Sequence, residues 1–244
     1  MKNLKFLYFF ISIVPLNIIY SQTQQKIEET QTITLENNPL VRIEPSDYLE
    51  KHLASKKVPI LKEEAERNLR SLGKILRLYK NEVKEAQKNF DEAADSYKKG
   101  IEAYYSGNLL NAFNLFLKSK VISSQLLEEY ASFYKKRSLE IASNIANQLS
   151  ILESDKINAN YFLIHESEHR LNVMKNKILT AEEMLRFKKM VDAIELYKNA
   201  KIIGIITLYK LEQDKNKKEQ LLQNYKIDLE DANYNIENIR IESF

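Results

Sequence analysis

The sequence predicts an all-α, elongated protein of about four long helices arranged as two antiparallel hairpins. Three observations carry that expectation. The chain of 244 residues has only 4 glycines and 4 prolines, against usual shares of about 7% and 5%. The prolines are Pro15, Pro39, Pro45 and Pro59, so none occurs from Ile60 to Phe244. Apolar residues then recur at steps of three and four. Proline breaks a helix interior at a cost of about 3 kcal/mol, and turns rely on Gly and Pro. A long stretch nearly free of both therefore favours long helices over sheet.

The apolar pattern begins at Leu61 and continues through Leu72, Tyr79, Ala86, Phe90 and Tyr97 to Tyr104. Its steps average about 3.6 residues, the α-helical repeat. From Leu69 to Phe90 they alternate three and four without a fault, the spacing of a coiled-coil seam. This predicts one helix over about 60–106, about 70 Å long, ended by Tyr105-Ser106-Gly107. A second helix is expected from about Leu109 to Glu153, with Ala112, Phe116, Ser119, Ser123, Leu127, Tyr130 and Tyr134 on its inner face. Glu153-Ser154-Asp155 is read as the cap of a third helix over about 156–188, with Tyr161, Ile164, Leu171 and Met174 inward. A fourth starts near Met190 with Ala193, Tyr197 and Ala200 inward. Glu212 to Gln220 is polar on every face, and a stripe resumes from Leu221 to Ile239.

Four segments follow. Residues 1–21 have a lysine-bearing start (Lys2, Lys5), an apolar run from Phe6 to Val14, and Ile19-Tyr20-Ser21 before Gln22. This is the layout of a cleavable signal peptide, and the run is too short for the roughly 20 residues a membrane-spanning helix needs. Residues 22–59 read as a polar, flexible leader with a brief strand-like Thr32-Ile33-Thr34-Leu35 and a short capped helix at Ser46-Asp47. Residues 60–153 form the first long hairpin, and 154–244 the second hairpin with a C-terminal helix. The expected location is the periplasm, with no transmembrane segment after cleavage.

Composition excludes several functions. With no cysteine there is no disulfide, thiolate zinc site or iron–sulfur cluster. Net charge is +3, and subtracting Lys2 and Lys5 leaves +1, with signs interleaved, so no electrostatic footprint for nucleic acid is present. There is no Gly-rich phosphate loop and no G-x-S-x-G. One catalytic motif does occur. His165-Glu166-Ser167-Glu168-His169 matches H-E-x-x-H on a predicted helix, placing two imidazoles on one face as zinc requires, with Glu166 beside a metal-bound water and Glu182 or Glu183 as a third ligand. Ser167, Glu168 and Arg170 are too polar for the usual buried zinc helix. The competing reading is a solvated face with a Glu166–Arg170 ion pair. We therefore expect no catalytic residue, metal or cofactor. Lys135-Lys136-Arg137 reads as a solvated basic turn, and the 14 tyrosines as half-buried helix seams or a partner surface.

The chain also repeats itself. Under an offset of 81 residues Ala112, Phe116 and Ser119 fall on Ala193, Tyr197 and Ala200, and Lys120-Val121-Ile122-Ser123 falls on Lys201-Ile202-Ile203-Gly204. Small, aromatic, small at spacings of four and three share one helical face, where small residues admit a neighbouring helix and the ring fills the gap. Gly100, Gly107, Ala112 and Phe116 resemble the small, turn, small and aromatic positions of the tetratricopeptide repeat. The second copy keeps Ala193, Tyr197 and Ala200, with Ala181 and Lys188 in place of the two glycines. The resemblance implies helical hairpins that bind proteins, with these seven residues as packing positions. In overall character the chain also resembles spirochaete periplasmic proteins, the flagellar-coiling sheath proteins and motor collar proteins among them.

The expected function is a non-enzymatic periplasmic structural or adaptor role within the flagellar apparatus and motility. It would act through helix contacts with filament or motor components, or by self-association. The rivals are a tetratricopeptide-like adaptor for envelope assembly and, from another class, a zinc hydrolase.

Overall fold

The computed structural model describes residues 45–154 and 160–242. The signal-like stretch 1–21, Thr32–Leu35 and the cap expected at Asp155 lie outside the described residues. Chain contacts separate Met1–Ile43 from the unit Glu44–Phe244, and the helices below all belong to the second.

The described residues are all-α, with eight helices and no strand: α1 (Pro45–Tyr79), α2 (Ala86–Tyr105), α3 (Leu109–Ser154), α4 (Tyr161–Arg186), α5 (Met190–Leu211), α6 (Lys215–Asn224), α7 (Lys226–Asp231) and α8 (Ile236–Glu242). The expected four are corrected to eight by breaks at both ends of the pattern. The first break separates α1 from α2. The carbonyl of Tyr79, the last residue of α1, accepts the Tyr130 hydroxyl at 3.1 Å and the Glu82 amide at 3.2 Å, and Glu85 takes a left-handed φ of 56°. Val83 and Ala86 are nonetheless buried. The seam continues in phase across a chain reversal, because periodicity reports the buried face and not the continuity of the backbone.

Helix α1 begins at Pro45, well before the leader boundary read at 59/60. Pro45 occupies the first helical position, where a missing N–H costs nothing. Pro59 lies inside α1, but Val58 and Leu61 on either side are buried against Ala103, Ala112 and Phe116, and this packing holds the helix through it.

Contacts give the directions. In α1 and α3, Glu64 meets Lys120 and Tyr79 meets Tyr130, so these helices run parallel. Helix α2 returns antiparallel to both, with Glu66 on Tyr97 and Glu92 on Lys118. In the second half, Lys135 of α3 meets Glu182 of α4, Ser138 meets Tyr197 of α5, and Glu166 meets Lys210. Helix α4 is thus antiparallel to α3 and α5. At 46 residues, about 69 Å at 1.5 Å per residue, α3 serves two hairpins in turn: its first half pairs with α2 and its second half packs the α4–α5 pair.

Both hairpin turns have the same form. After α2, Gly107 has φ 79°. Its amide donates to the Tyr104 carbonyl at 3.1 Å and that of Asn108 to Ala103 at 2.9 Å. After α4, Lys188 has φ 58°, with its amide on Leu185 at 3.0 Å and that of Lys189 on Met184 at 2.9 Å. This is the left-handed helix stop usually reserved for glycine; Lys188 adopts it with a side chain. Helix α4 itself starts at Tyr161, where the Asn160 side chain accepts the Leu163 amide, and Tyr161 is exposed, correcting the start at 156.

The C-terminal stripe is three short helices. Asp214 caps α6 by accepting the amides of Asn216 and Lys217, and Asn233 (φ 53°) stops α7. Leu222, Leu229 and Ile239 anchor α6, α7 and α8 on the main core. Among the described residues no helix is long and apolar enough to cross a membrane.

Candidate functional site

The repeat positions come together in two equivalent seams. Ala112 and Phe116 are buried on α3, and Ala193, Tyr197 and Ala200 on α5. A Cβ on Gly100 would lie 2.8 Å from the Phe116 ring, so glycine lets α2 approach α3 there. Ala181, its counterpart, is buried on α4. At Gly204, the counterpart of Ser123, a Cβ would overlap Ile141 Cγ2 and fall 2.9 Å from Met174 Sδ, so glycine lets α5 approach both α3 and α4 there. The Tyr197 and Phe116 rings hold matching positions, but the Tyr197 hydroxyl is buried with no hydrogen-bond partner among the described residues. Burial, then the Glu182 carboxylate, push that phenol up to about 12. In α2 the deepest line is Ala93, Ser96, Gly100 and Ala103, one residue before the Ala94, Tyr97, Ile101 and Tyr104 expected to face inward.

The two histidines of the H-E-x-x-H stretch lie on the outer side of α4, whereas Ser167 between them is buried. His165 is 89% exposed and 3.6 Å from Glu168. Glu166 accepts from Arg170 at 3.1 Å and Lys210 at 3.2 Å, and these cations hold its carboxyl below the usual value against the effect of burial. His169 is exposed, and Glu182 pairs with Lys135 on α3. Among the described residues no three His, Cys, Asp or Glu side chains converge on one point.

The densest chemistry is a buried charge cluster absent from the sequence reading. Four elements supply it. Tyr79 ends α1; α3 gives Tyr134 and Arg137, α5 gives Lys198 and Lys201, and α7 gives Asp228 and Asp231. Each of the last three helices contributes a pair three residues apart, which places both side chains on one face. Lys201, with no solvent exposure, donates to Asp228 Oδ1 at 2.7 Å and the Tyr79 hydroxyl at 3.2 Å. Its ammonium sits 4.4 Å from the Tyr134 ring centre. Tyr79 donates to Asp228 Oδ1 at 2.9 Å and Tyr134 to Asp231 Oδ2 at 2.7 Å. Arg137 reaches Asp228 Oδ2 through Nε and a terminal nitrogen at 3.2 and 3.1 Å, and Lys198 lies 3.0 Å from Asp231 Oδ1. Two rim carboxylates, Glu140 and Glu195, approach Arg137 and Lys198 at 3.7 and 3.4 Å.

Burial lowers the Lys201 ammonium despite its carboxylates. Burial raises the Asp228 carboxyl, but Lys201, Arg137 and Tyr79 outweigh it and hold the group below its ordinary value. Burial, then Asp228 for Tyr79 and Asp231 for Tyr134, push both phenols far above theirs. Every charge is compensated, and each carboxylate oxygen of Asp228 is engaged. Such a cluster fixes one geometry rather than adding much net stability. It locks α7 to α1, α3 and α5. Beside it opens a cleft of about 780 Å³ walled by Phe133, Arg137, Asn224 and Ile227, with Lys201 closed off behind Tyr79.

On α3 toward its N-terminal end lies a second groove, of about 710 Å³. Leu117 and Val121 are 38% and 46% exposed there, and Phe187, at the α4 stop, is 72% exposed. Two ion pairs, Lys120–Glu64 at 2.6 Å and Arg67–Asp192 at 2.5 Å, staple α1 to α3 and α5 along one wall. Lys188 and Lys189 form the other end. No protein-family model, curated protein or solved structure matches the chain.

Proposed function

We propose that this chain is a non-enzymatic adaptor or structural protein that works by presenting helix surfaces to other proteins. The carrying observation is that two like hairpins are mounted on one long helix, α3, with Leu117, Val121 and Phe187 left open between them. Contiguous exposed apolar surface on a rigid frame supports a protein-binding role. The buried ionic cluster supports the same reading, since its charges are spent on one another rather than held toward a substrate. The signal-like Met1–Ser21 supports a site of action beyond the inner membrane; there the resemblance in overall character to spirochaete sheath and collar proteins favours the flagellar apparatus, while the tetratricopeptide-like seams suit a protein-binding adaptor.

The test is affinity purification of the tagged protein from native envelope fractions after mild cross-linking. Stoichiometric recovery of filament or motor proteins supports the flagellar role, and recovery of envelope-assembly factors moves the adaptor there. No protein partner, together with stoichiometric zinc in the purified chain, overturns the proposal.

A further inference from the structure

The internal duplication supplies a template for what fits the open groove. Under the offset of 81 residues Leu117 corresponds to Lys198 and Val121 to Ile202. Those two α5 residues are 6% and 8% exposed, and α7 meets the first of them through Asp231. Helix α7 is a short amphipathic helix. It buries Leu229 in the core and sets Asp228 and Asp231 against Lys201 and Lys198. On the first hairpin α1 meets Lys120, the counterpart of Lys201, through Glu64, while Leu117 and Val121 beside it stay part-exposed.

The groove is also charged to match such an occupant. Lys120 and Arg67 are neutralised by Glu64 and Asp192. Lys188 and Lys189 line the groove beside Phe187 with no carboxylate partner among the described residues; one carboxylate without a cationic partner there, Glu128, also lines it, so the lysines leave a net positive excess at their end. The left-handed backbone at Lys188 sets the direction in which its side chain leaves the turn. An apolar floor with unpaired cations at one end suits a helix with apolar residues three and four apart and carboxylates beside them.

Resting on the adaptor reading above, we infer that the α3 groove receives an acidic amphipathic helix of another protein. Its apolar face lies on Leu117, Val121 and Phe187, and its carboxylates pair with Lys188 and Lys189.

The test places the photo-reactive residue p-benzoylphenylalanine at Val121 in the full chain, expressed in its native host, with the same residue at the exposed positions Leu139 and Leu179 as controls. The adducts are mapped by mass spectrometry. The expected result is a Val121 adduct whose partner peptide is amphipathic at helical spacing and net acidic, with its yield reduced about tenfold by Lys188→Glu with Lys189→Glu, as reversal of interfacial charge predicts. Circular dichroism and the thermal midpoint of each variant confirm folding. A Val121 adduct to a second copy, to the same chain or to a basic or neutral peptide overturns the inference, as does a yield indifferent to the lysine reversals. Protein adducts from Leu139 or Leu179 but not from Val121 overturn the groove and leave the adaptor reading standing. No protein adduct from any position removes both.

Discussion

The Lys201 ammonium lies 2.7 Å from the Asp228 carboxylate, and both side chains are sealed from solvent where α5 meets α7. Removing one member leaves the other's charge buried, at a cost of about 3–5 kcal/mol. Asp228→Asn should therefore lower the free energy of unfolding by that amount in urea titrations. Asp192→Asn, which breaks the exposed pair with Arg67, should cost no more than about 1 kcal/mol. Equal, small losses in the two variants would show that the cluster is not closed in solution.

The same carboxylate sets a pH dependence. The folded-state value of Asp228 is depressed, so its contribution is complete well above the unfolded-chain value of about 3.9 and is lost as pH falls through the folded value. Lys201 is also depressed. Between its folded value and about 10.4 the unfolded chain binds more protons, so this group makes stability rise with pH there. Tyr79 and Tyr134 are raised and act the other way, their contribution being lost above about pH 10. Urea midpoints measured from pH 2 to 11 should fall on the acid side below about pH 4, and that acid limb should flatten in Asp228→Asn.

Two glycines on helices should respond with opposite signs to the same substitution. At Gly204 an added methyl meets Ile141 and Met174 inside contact distance. Gly204→Ala should cost about 1–3 kcal/mol, despite a helix-propensity gain of about 1 kcal/mol. At Gly73 the nearest atom is Phe90 Cζ at 3.9 Å, an ordinary contact, and Gly73→Ala should stabilise by about 0.4–1 kcal/mol. Thermal melts of the two variants check this. Stabilisation by both would mean that α5 stands farther from α3 and α4.

Tyr197 and Phe116 offer a comparison built into the repeat. The Tyr197 hydroxyl is buried without a partner among the described residues, whereas the matching ring of Phe116 carries no polar atom. Taking away an unsatisfied buried hydroxyl removes a desolvation cost of about 1–3 kcal/mol. Tyr197→Phe should thus raise the unfolding midpoint, and a loss of stability would show that the hydroxyl is hydrogen-bonded.

How much of this was legible follows from what each residue signals. Phe116, Tyr130, Tyr134, Ala193 and Tyr197 announce a buried helical face by spacing alone, and all are buried. The break after Tyr79 carries no such signal. Val83 and Ala86 keep the three–four rhythm through a turn made by Tyr130 reaching the Tyr79 carbonyl, a contact between residues 51 apart. Pro59 misleads in the other direction, since burial of Val58 and Leu61 overrides a local breaker. Helix α2 turns its small residues inward, and large apolar side chains are a poor guide to such a seam. The charge cluster stayed hidden because Arg137 reads with Lys135 and Lys136 as a solvated basic turn, whereas its guanidinium is turned inward onto Asp228. Its visible trace is Lys201 heading the run Ile202–Leu208, with Asp228 and Asp231 at helical spacing on either side of Leu229.

Both hairpins sharing α3 is the claim on which the rest stands, and the cysteine-free sequence makes it directly measurable. Two double-cysteine variants, Glu92→Cys with Lys118→Cys and Lys135→Cys with Glu182→Cys, replace ion pairs that join α3 to α2 and to α4. Treated with a short bis-maleimide at low protein concentration, both should close within one chain at high yield. If either pair fails to close, or closes only between chains, α3 is not the common support.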